Sequence, residues 1–385
     1  MTAIASPDSL QADPFARQHG DLAMLADRAR LRALRTRRGV DFASNDYLAL
    51  AGDPRLRAAA AAALARGVAI GSGGSRLLRG NDPEHEALEA EAAAFFGCEA
   101  ALFFSSGFAA NSTLLATLPQ RGDLIVHDAL VHASAHDGLR TTRATVREFA
   151  HNDAGAAADT LRRWRAAGGT GTAWIAVESL YSMDGDRAPL AALVEIADRY
   201  GAVLSIDEAH ATGVFGAGGR GLAAQWQGRD NLVTLHTCGK AMGCEGALVC
   251  GPRIVRDFLV NRGRGFIFST APSPLMAAVA RESLCVLADE PERRARLADL
   301  IAEASRVLAP HGAISTGSQI LPLILGEDVR AMQVAAALQA AGFDVRGIRP
   351  PTVPEGSARL RIALTLNVTG HDVHALAAAL GEALQ

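Results

Sequence analysis

The feature that most constrains the fold is an alternation of short apolar segments with helical segments through the middle of the chain. Apolar runs of strand length occur between residues 100 and 237 as ALFFS, DLIVH, TAWIAVES, AVLSID and NLVTLHT. Between them, helical patterns begin near Ala109 and Ser134 and extend over residues 190–200. Strands separated by helices are typical of parallel sheets. The pattern therefore predicts an α/β chain with a mostly parallel sheet that helices cover on both faces.

The polar residues that follow these strands are candidates for a ligand site, because open parallel sheets bind ligands at the carboxyl ends of their strands. Residues 105–108 (SSGF) join a strand to a helix start, where free backbone amides suit a phosphate. Asp207 directly follows the strand AVLSI, and His210 lies three residues further on. The Asp207 carboxylate could keep a pyridinium nitrogen protonated, or it could instead cap a helix.

Lys240 is set apart by the composition of the chain. It is the only lysine among 38 basic residues, and all the others are arginines. Arginine stays protonated, whereas a buried lysine amine can lose its proton and condense with a carbonyl. Gly239, Gly243 and Gly246 surround Lys240, and glycines are expected where a backbone approaches a ligand closely. An ordinary lysine on a helix surface is the alternative, but the pattern favours a nucleophilic amine.

Composition also excludes several classes of protein. The formal net charge of −3 gives no reason to expect a nucleic-acid partner. Apolar runs stay below the roughly 18 residues of a membrane helix, and the first residues lack the pattern of a secretory signal. The five cysteines form no CxxC spacing, which suits reduced thiols. His127, His132 and His136 lack a carboxylate or cysteine at ligand spacing, so no metal site is expected. We expect a soluble protein of the cytoplasm.

Segments on either side of the alternation are predicted to complete the molecule. Residues 22–38 have leucines at helical spacing with arginines between them, which predicts an amphipathic arm packed on the main body or on a partner subunit. After about residue 275, two helices, the strand ILPLILG, a helix, the strand RLRIALT and a last helix predict a small α+β domain. We therefore expect an N-terminal arm of residues 1–48, a large domain of residues 49–278 and a small domain of residues 279–385.

Six motifs now point to a family. The segments SNDYLAL, GSGGSRL, SSGFAAN, YSMDGD, IDEAHATG and TCGKAMGCEGA, in this order, resemble those of the alpha-oxoamine synthases of the fold-type I pyridoxal phosphate superfamily. The resemblance implies a seven-stranded-type sheet, a large domain that binds pyridoxal 5'-phosphate (PLP), and a homodimer in which GSGGSR and FIFST serve the neighbouring subunit's site. The chain departs from the family pattern at Ala49, Ala211, Glu245 and Phe268, without losing a group that the chemistry needs.

The resemblance assigns roles to individual residues. Lys240 would bind the cofactor covalently, Asp207 would pair with its pyridine nitrogen, and His132 would stack on its ring; these three are the predicted catalytic residues. The other predicted cofactor contacts are Gly107, Phe108, Ser182, His210, Thr237, Ser269 and Thr270. The predicted substrate contacts are Arg35, Asn45, His132, Thr352 and Arg361. Within this set, Arg361 would bind the carboxylate of an amino acid, and Arg35 and Thr352 would contact an acyl-CoA.

The resemblance also implies an activity. The segments AHND (residues 150–153) and IRPPTVP (residues 348–354) most resemble members that condense L-alanine with pimeloyl-CoA, or with a pimeloyl-carrier protein, in biotin biosynthesis. Sister enzymes that condense glycine with acetyl-CoA or succinyl-CoA are the alternative. An aminotransferase or lyase on the same fold, and a protein that binds the cofactor without catalysis, are more distant possibilities.

Overall fold

The structure is a computed structural model that describes residues 13–385. Its strands are β1 (Val40–Asp41), β2 (Ala100–Phe104), β3 (Leu124–Asp128), β4 (Thr145–Phe149), β5 (Ala173–Glu178), β6 (Ala202–Asp207), β7 (Leu232–Thr237), β8 (Ala247–Gly251), β9 (Ile320–Gly326), β10 (Phe343–Asp344), β11 (Arg346–Ile348) and β12 (Ala358–Ala363). Its helices are α1 (Ala16–Asp27), α2 (Pro54–Ala65), α3 (Pro83–Phe96), α4 (Gly107–Thr117), α5 (Ala133–Thr141), α6 (Ala154–Ala166), α7 (Leu190–Tyr200), α8 (Arg253–Arg262), α9 (Arg264–Ile267), α10 (Pro274–Asp289), α11 (Pro291–Leu308), α12 (Asp328–Ala340) and α13 (Gly370–Ala383).

A seven-stranded sheet forms the centre of the molecule, in the order β2-β8-β7-β6-β5-β3-β4. Neighbouring strands from β7 through β4 in this order are parallel, whereas β8 is antiparallel to both β2 and β7. Every residue of β2, β3, β5, β7 and β8 is buried, as expected for strands covered on both faces. The predicted α/β fold with a mostly parallel, doubly covered sheet is confirmed.

A second sheet, in the order β11-β12-β9, is antiparallel and packs with helices α11 to α13 near the carboxyl end of the chain. Its apolar side chains share one core with residues far away in the sequence, among them Phe42, Leu248 and Leu284. This shared core fixes β12 against the central sheet. Residues of β12 can therefore contribute to a site at the edge of that sheet. Among residues 13–385, no helix combines the length and the apolar composition needed to cross a membrane.

The N-terminal arm differs from the prediction. The helix expected over residues 22–38 is observed earlier, as α1, and none of its residues is buried. Ala29 has a φ of +55°, which interrupts helical geometry, and residues 28–38 continue without regular structure. This segment carries six arginines, several at helical spacing, where like charges repel each other. Outside a helix, Arg30 forms ion pairs with Asp328 and Glu355 instead.

Ala49, one of the departures from the family pattern, lies in left-handed backbone with a φ of +55°. A Cβ is disfavoured in that region, which glycine occupies freely. We expect Ala49→Gly to raise the free energy of unfolding by roughly 1 kcal/mol. Ala61→Gly, at an exposed site inside α2, is the matched control and should lower it by about as much. Denaturant unfolding of the two variants measures both changes in the free energy of unfolding. A lower free energy of unfolding for Ala49→Gly would contradict the conclusion that the backbone is strained at Ala49.

Candidate active site

A cavity of about 740 Å³ opens where the parallel strands end. The segments that follow β3, β5, β6 and β7 all contribute to its wall, as predicted for the carboxyl edge of such a sheet. Strand β12 and residues 351–354 close it from the other side. The predicted site residues that line the cavity are Asn45, His132, Ser182, His210, Lys240, Thr352 and Arg361.

Lys240 lies in the turn between β7 and β8, with its amine directed into the cavity. A Cβ on Gly243 would lie 2.4 Å from the carbonyl carbon of Leu50, so this turn requires a glycine to approach the N-terminal segment. Burial lowers the pKa of Lys240 to about 8, although Asp207 and Glu178 act in the opposite direction. A far larger fraction of this amine than of an ordinary lysine is therefore unprotonated near neutral pH, and nucleophilic attack on a carbonyl requires the unprotonated form.

A chain of hydrogen bonds connects Lys240 with Arg361. The Nζ atom of Lys240 lies 2.8 Å from Nε2 of His210, whose Nδ1 lies 2.7 Å from the hydroxyl of Tyr47. The Tyr47 hydroxyl is 3.0 Å from Oδ1 of Asn45, which also accepts a hydrogen bond from Nη2 of Arg361 at 2.9 Å. Burial, and then the nearby positive charges, lower the pKa of His210 well below its ordinary value.

The neutral state of His210 determines how protons are arranged in this chain. If the Lys240 ammonium donates to Nε2 of His210, the imidazole proton is on Nδ1 and is donated to the Tyr47 hydroxyl, which then donates to Asn45. When Lys240 is neutral, the opposite tautomer of His210 allows the amine to accept a hydrogen bond from Nε2. Tyr47 lies in the SNDYLAL motif but was not predicted as a site residue, because nothing local indicates its contact with His210.

Asp207 lies at the end of β6 with both of its carboxylate oxygens occupied. Oδ1 accepts from the backbone amide of Ala209 at 2.9 Å, and Oδ2 accepts from Nδ2 of Asn111 at 3.1 Å. The same Asn111 nitrogen lies 3.0 Å from Oγ of Ser134, and Ser134 in turn lies 2.8 Å from Nδ1 of His132. Asn111 thus couples Asp207 to His132 across the strand ends, a connection that sequence reasoning missed.

Glu178 is a second buried carboxyl group beside Asp207, and it was not predicted either. The two residues are opposite each other in the register of β5 and β6. Burial, followed by the charge of Asp207, raises the pKa of Glu178 well above its ordinary value, and its Oε1 atom has no hydrogen-bond partner. The sequence signal was a carboxylate at the end of a buried strand, as for Asp207. The pair makes this part of the site suited to a cationic group.

The start of α4 lies next to the end of β7. A Cβ built on Gly107 would lie 3.5 Å from Oγ1 of Thr237, an ordinary contact distance, so the helix start and the strand end adjoin each other. Thr237 is buried, whereas the ring of Phe108 is half exposed and meets the ring of His132 edge to face at 6.5 Å. Helix starts with open amides bind phosphate groups. The predicted residues Gly107, Phe108 and Thr237 therefore form one end of a cradle that suits a phosphorylated cofactor.

Besides Gly107, Phe108, Asp207 and Thr237, three further predicted site residues do not line this cavity: Arg35, Ser269 and Thr270. Arg35 donates to Oε1 of Gln339 at 3.1 Å and lines a neighbouring groove. Ser269 and Thr270 lie between α9 and α10, where the next residue, Ala271, donates to the carbonyl of Gly74 at 2.9 Å. This contact joins the segment FIFST to the loop GSGGSR on the surface of the same chain. The predicted roles of these three residues stay predictions.

Comparison with known proteins gives the class to which this fold and site belong. Residues 37–380 match the family described as Aminotransferase class I and II. A solved structure of a serine palmitoyltransferase variant from S. paucimobilis, with a bound PLP–myriocin aldimine, superposes with a TM-score of 0.88 at 26% identity, over 97% of this chain and 98% of that chain. The class is therefore that of the aminotransferase class I and II proteins.

Relatives with higher sequence identity identify a family within this class. The 8-amino-7-oxononanoate synthase of Anaeromyxobacter sp. (strain K) is 46% identical over 348 residues, which is 90% of this chain and 86% of that protein. A crystal structure of 8-amino-7-oxononanoate synthase from Francisella tularensis has a TM-score of 0.74 and 27% identity, over 90% of this chain and 98% of that one. The chain belongs to the 8-amino-7-oxononanoate synthase family, and the resemblance to alpha-oxoamine synthases is confirmed.

Proposed function

We propose that the protein catalyses the PLP-dependent condensation of L-alanine with pimeloyl-CoA, or with a pimeloyl-carrier protein. The products are 8-amino-7-oxononanoate, carbon dioxide and the free thiol carrier, in a step of biotin biosynthesis. The observation that carries this proposal is the hydrogen-bonded chain from Lys240 to Arg361 within one cavity. Both ends of this chain line the cavity, one with an amine that can bind an aldehyde and the other with a guanidinium that can bind a carboxylate. The similarity to the named synthases supports the proposal.

Pyridoxal 5'-phosphate fits the residues present. When bound, it supplies an aldehyde that condenses with amines and a pyridinium ring that withdraws electrons from the α carbon of an amino acid. Lys240 would hold the aldehyde carbon, and the buried Asp207 would hold the proton on the ring nitrogen. His132 would contact the ring. The amides at the start of α4, together with Gly107 and Thr237, would hold the phosphate.

Three side chains of the protein then have separate roles toward the substrates. Neutral Lys240 takes the α proton of alanine, because an amine with a pKa near 8 is an efficient base at physiological pH. Arg361 orients the alanine carboxylate through a fixed guanidinium, which Asn45 and the carbonyl of Ser182 hold in place. His132 lies in the same cavity and can donate a hydrogen bond to the oxygen of the thioester as charge develops there.

The acyl donor would enter between residues 351–354 and the N-terminal arm. Thr352 lines the cavity, and Nη2 of Arg32 lies 3.4 Å from its hydroxyl. Arg346 lines both the cavity and the neighbouring groove that contains Arg35. Cations continuous with the cavity suit the phosphates of an acyl-CoA or of a phosphopantetheine arm. This arrangement supports the predicted donor contacts of Arg35 and Thr352.

We further propose that the protein acts as a cytoplasmic homodimer, divided into an arm, a large domain and a small domain near residues 48 and 278. Exposed apolar side chains near the loop GSGGSR and the segment FIFST support the dimer, since such side chains are typical of covered interfaces. They are Ile70, Leu77, Leu78 and Phe268. In a dimer, Ser269 and Thr270 would reach the phosphate end of the partner's site. Light scattering on the protein as it elutes from a gel-filtration column would measure its molar mass directly. The mass of a monomer would contradict the proposed dimer.

The experiment that tests the function is a product assay on purified protein loaded with PLP. With pimeloyl-CoA, we expect L-alanine to give 8-amino-7-oxononanoate and carbon dioxide in equal amounts. Glycine with acetyl-CoA or succinyl-CoA serves as the comparison. Faster turnover with glycine and either shorter donor would assign the protein to a sister activity. Pyridoxamine formation without any thioester would indicate an aminotransferase.

For Arg361→Lys we expect the affinity for alanine to fall by about tenfold to a hundredfold, while the bound PLP content stays unchanged. Lysine keeps the charge but cannot form two parallel hydrogen bonds with a carboxylate. It also loses the contacts with Asn45 and Ser182 that orient the arginine. Absorbance titration with alanine gives the affinity, and phosphate content gives the cofactor occupancy. An unchanged alanine affinity would reassign Arg361 to a structural role.

A further inference from the structure

His151, in the segment AHND, lies between two aspartates outside the cavity. Its Nδ1 atom is 2.8 Å from Oδ1 of Asp128, and its Nε2 atom is 2.8 Å from Oδ2 of Asp186. Burial alone would lower the pKa of His151, but the hydrogen bonds to the two carboxylates raise it to about 10. The imidazole is therefore a cation at physiological pH, with both N–H groups donating to carboxylates. The ring of Tyr181 packs against it edge to face at 4.5 Å.

Asp128 connects His151 to one wall of the cavity. It ends β3 and is fully buried, and its Oδ1 atom accepts from the backbone amide of Leu130 at 2.8 Å. Its Oδ2 atom accepts from the amide of Asn152 at 2.7 Å. Residues 129–132, which Asp128 positions in this way, line the cavity and end at His132. A carboxylate with three short hydrogen bonds holds the backbone of this wall in one arrangement.

Asp186 connects His151 to the opposite wall. It closes a tight turn with Tyr181, because the Tyr181 amide donates to the Asp186 carbonyl at 2.9 Å and the Gly185 amide donates to the Tyr181 carbonyl at 3.0 Å. Within this turn, residues 181–184 line the cavity. The carbonyl of Ser182 accepts from Nε of Arg361 at 2.6 Å, so the position of the turn determines the direction of the guanidinium.

We propose that His151 is a positioning residue that joins the two walls of the active-site cavity through its paired hydrogen bonds to Asp128 and Asp186. By this means it sets the distance between His132 on one wall and Arg361 on the other. His151 itself does not line the cavity, so it acts only through the two aspartates. The inference rests on the proposed function, because it supposes that an amino acid binds between these walls.

Within the part of the chain that the structure describes, the surrounding network contains no other cation that could substitute for the charge of His151 between the two aspartates. Asn152 adds a second bridge, since its Nδ2 atom donates to Oδ2 of Asp186 at 2.7 Å. Oδ1 of Asn152, Oδ1 of Asp186 and the hydroxyl of Tyr181 are buried without a hydrogen-bond partner. Without the imidazolium, two carboxylates would remain close together in a region of low dielectric constant, and their repulsion would separate the walls.

The test compares His151→Asn and Asp186→Asn with the unchanged holoenzyme. His151→Asn should raise the alanine Kd, measured by absorbance titration, by about tenfold to a hundredfold, because it removes a charged bridge to buried groups. Asp186→Asn keeps Asp128 with His151 and removes only the charge that holds the turn, since an amide oxygen can still accept from Nε2, so a smaller rise in Kd is expected. In both variants the bound PLP content should stay near that of the unchanged protein. Asp186→Asn keeps the test decisive if His151→Asn does not fold.

The matched control is His374→Asn. His374 also pairs with a carboxylate, Glu303 at 3.1 Å, but on the exposed side of the C-terminal part. It should leave the alanine Kd unchanged. Folded His151 and Asp186 variants that bind alanine as tightly as the His374 variant would overturn the proposal. An unchanged holoenzyme that does not respond to alanine would instead contradict the proposed function, so the two failures can be told apart.

Discussion

Replacing Lys240 by arginine should reduce turnover by at least about ten-thousandfold and prevent covalent attachment of the cofactor. Lys240 is expected to act both as the nucleophile that holds the cofactor and as the base that takes the α proton. Arginine fits a similar space and keeps a positive charge near Asp207 and Glu178, but its guanidinium stays protonated and cannot fill either role. Lys240→Ala removes the charge as well, so the pair of variants separates the loss of an amine from the loss of a cation.

Because the sequence contains no other lysine, no other lysine side chain can bind the cofactor covalently in this experiment. Borohydride reduction of the loaded protein should add the mass of one reduced cofactor, located by peptide mapping at Lys240, and should add none to either variant. The rate at which cofactor-free protein captures PLP should fall about tenfold for each pH unit below 8, because only the unprotonated amine attacks and the pKa of Lys240 is about 8. Turnover that survives in Lys240→Arg would contradict the mechanism.

The sequence was most informative where function depends on position along a strand or helix. A buried parallel strand directs whatever follows it to one edge of the sheet, and this rule predicts that Asp207, His210 and Lys240 lie close together. His210 and Lys240 line one cavity, and the charge of Asp207, at the end of β6, acts on the pKa of Lys240. The strand β12 was likewise recognised from RLRIALT, and with it the position of Arg361. These inferences needed only local periodicity and the rule that parallel strands end together.

The remaining features depend on contacts between distant residues that carry no local signal. Tyr47 meets His210 across 163 positions of the chain, and no periodicity in SNDYLAL indicates that partner. The segment AHND marked a group of relatives, but its sequence alone does not show that His151 lies between Asp128 and Asp186. The helix of the arm lies earlier in the chain than its leucine spacing indicated, for a related reason. Leucine spacing favoured a helix over residues 22–38, while charge repulsion and acidic partners near residues 328 and 355 favoured an irregular path.

Asp207→Asn should reduce turnover by about a thousandfold while leaving a protein that still binds PLP through Lys240 and the start of α4. The loss has an electrostatic cause, because a neutral amide no longer keeps the proton on the ring nitrogen of the cofactor. It also has a geometric cause. Both oxygens of Asp207 accept hydrogen bonds, from Asn111 and from Ala209, and an asparagine amide would turn an N–H group toward one of these donors.

Glu178→Gln is the matched comparison for Asp207→Asn, because it makes the same change of carboxyl to amide on the neighbouring strand. Burial, followed by the charge of Asp207, raises the pKa of Glu178 well above its ordinary value and so favours its neutral form, which glutamine resembles. Its conversion to glutamine should therefore cost at most about tenfold. In Asp207→Asn the repulsion between the two carboxyl groups disappears, and Glu178 can ionise and supply part of the lost charge. The double variant should therefore be slower than the product of the two single effects, a coupling that a double-mutant cycle measures directly. Equal losses in the two single variants would show that Asp207 has no special pairing with the cofactor.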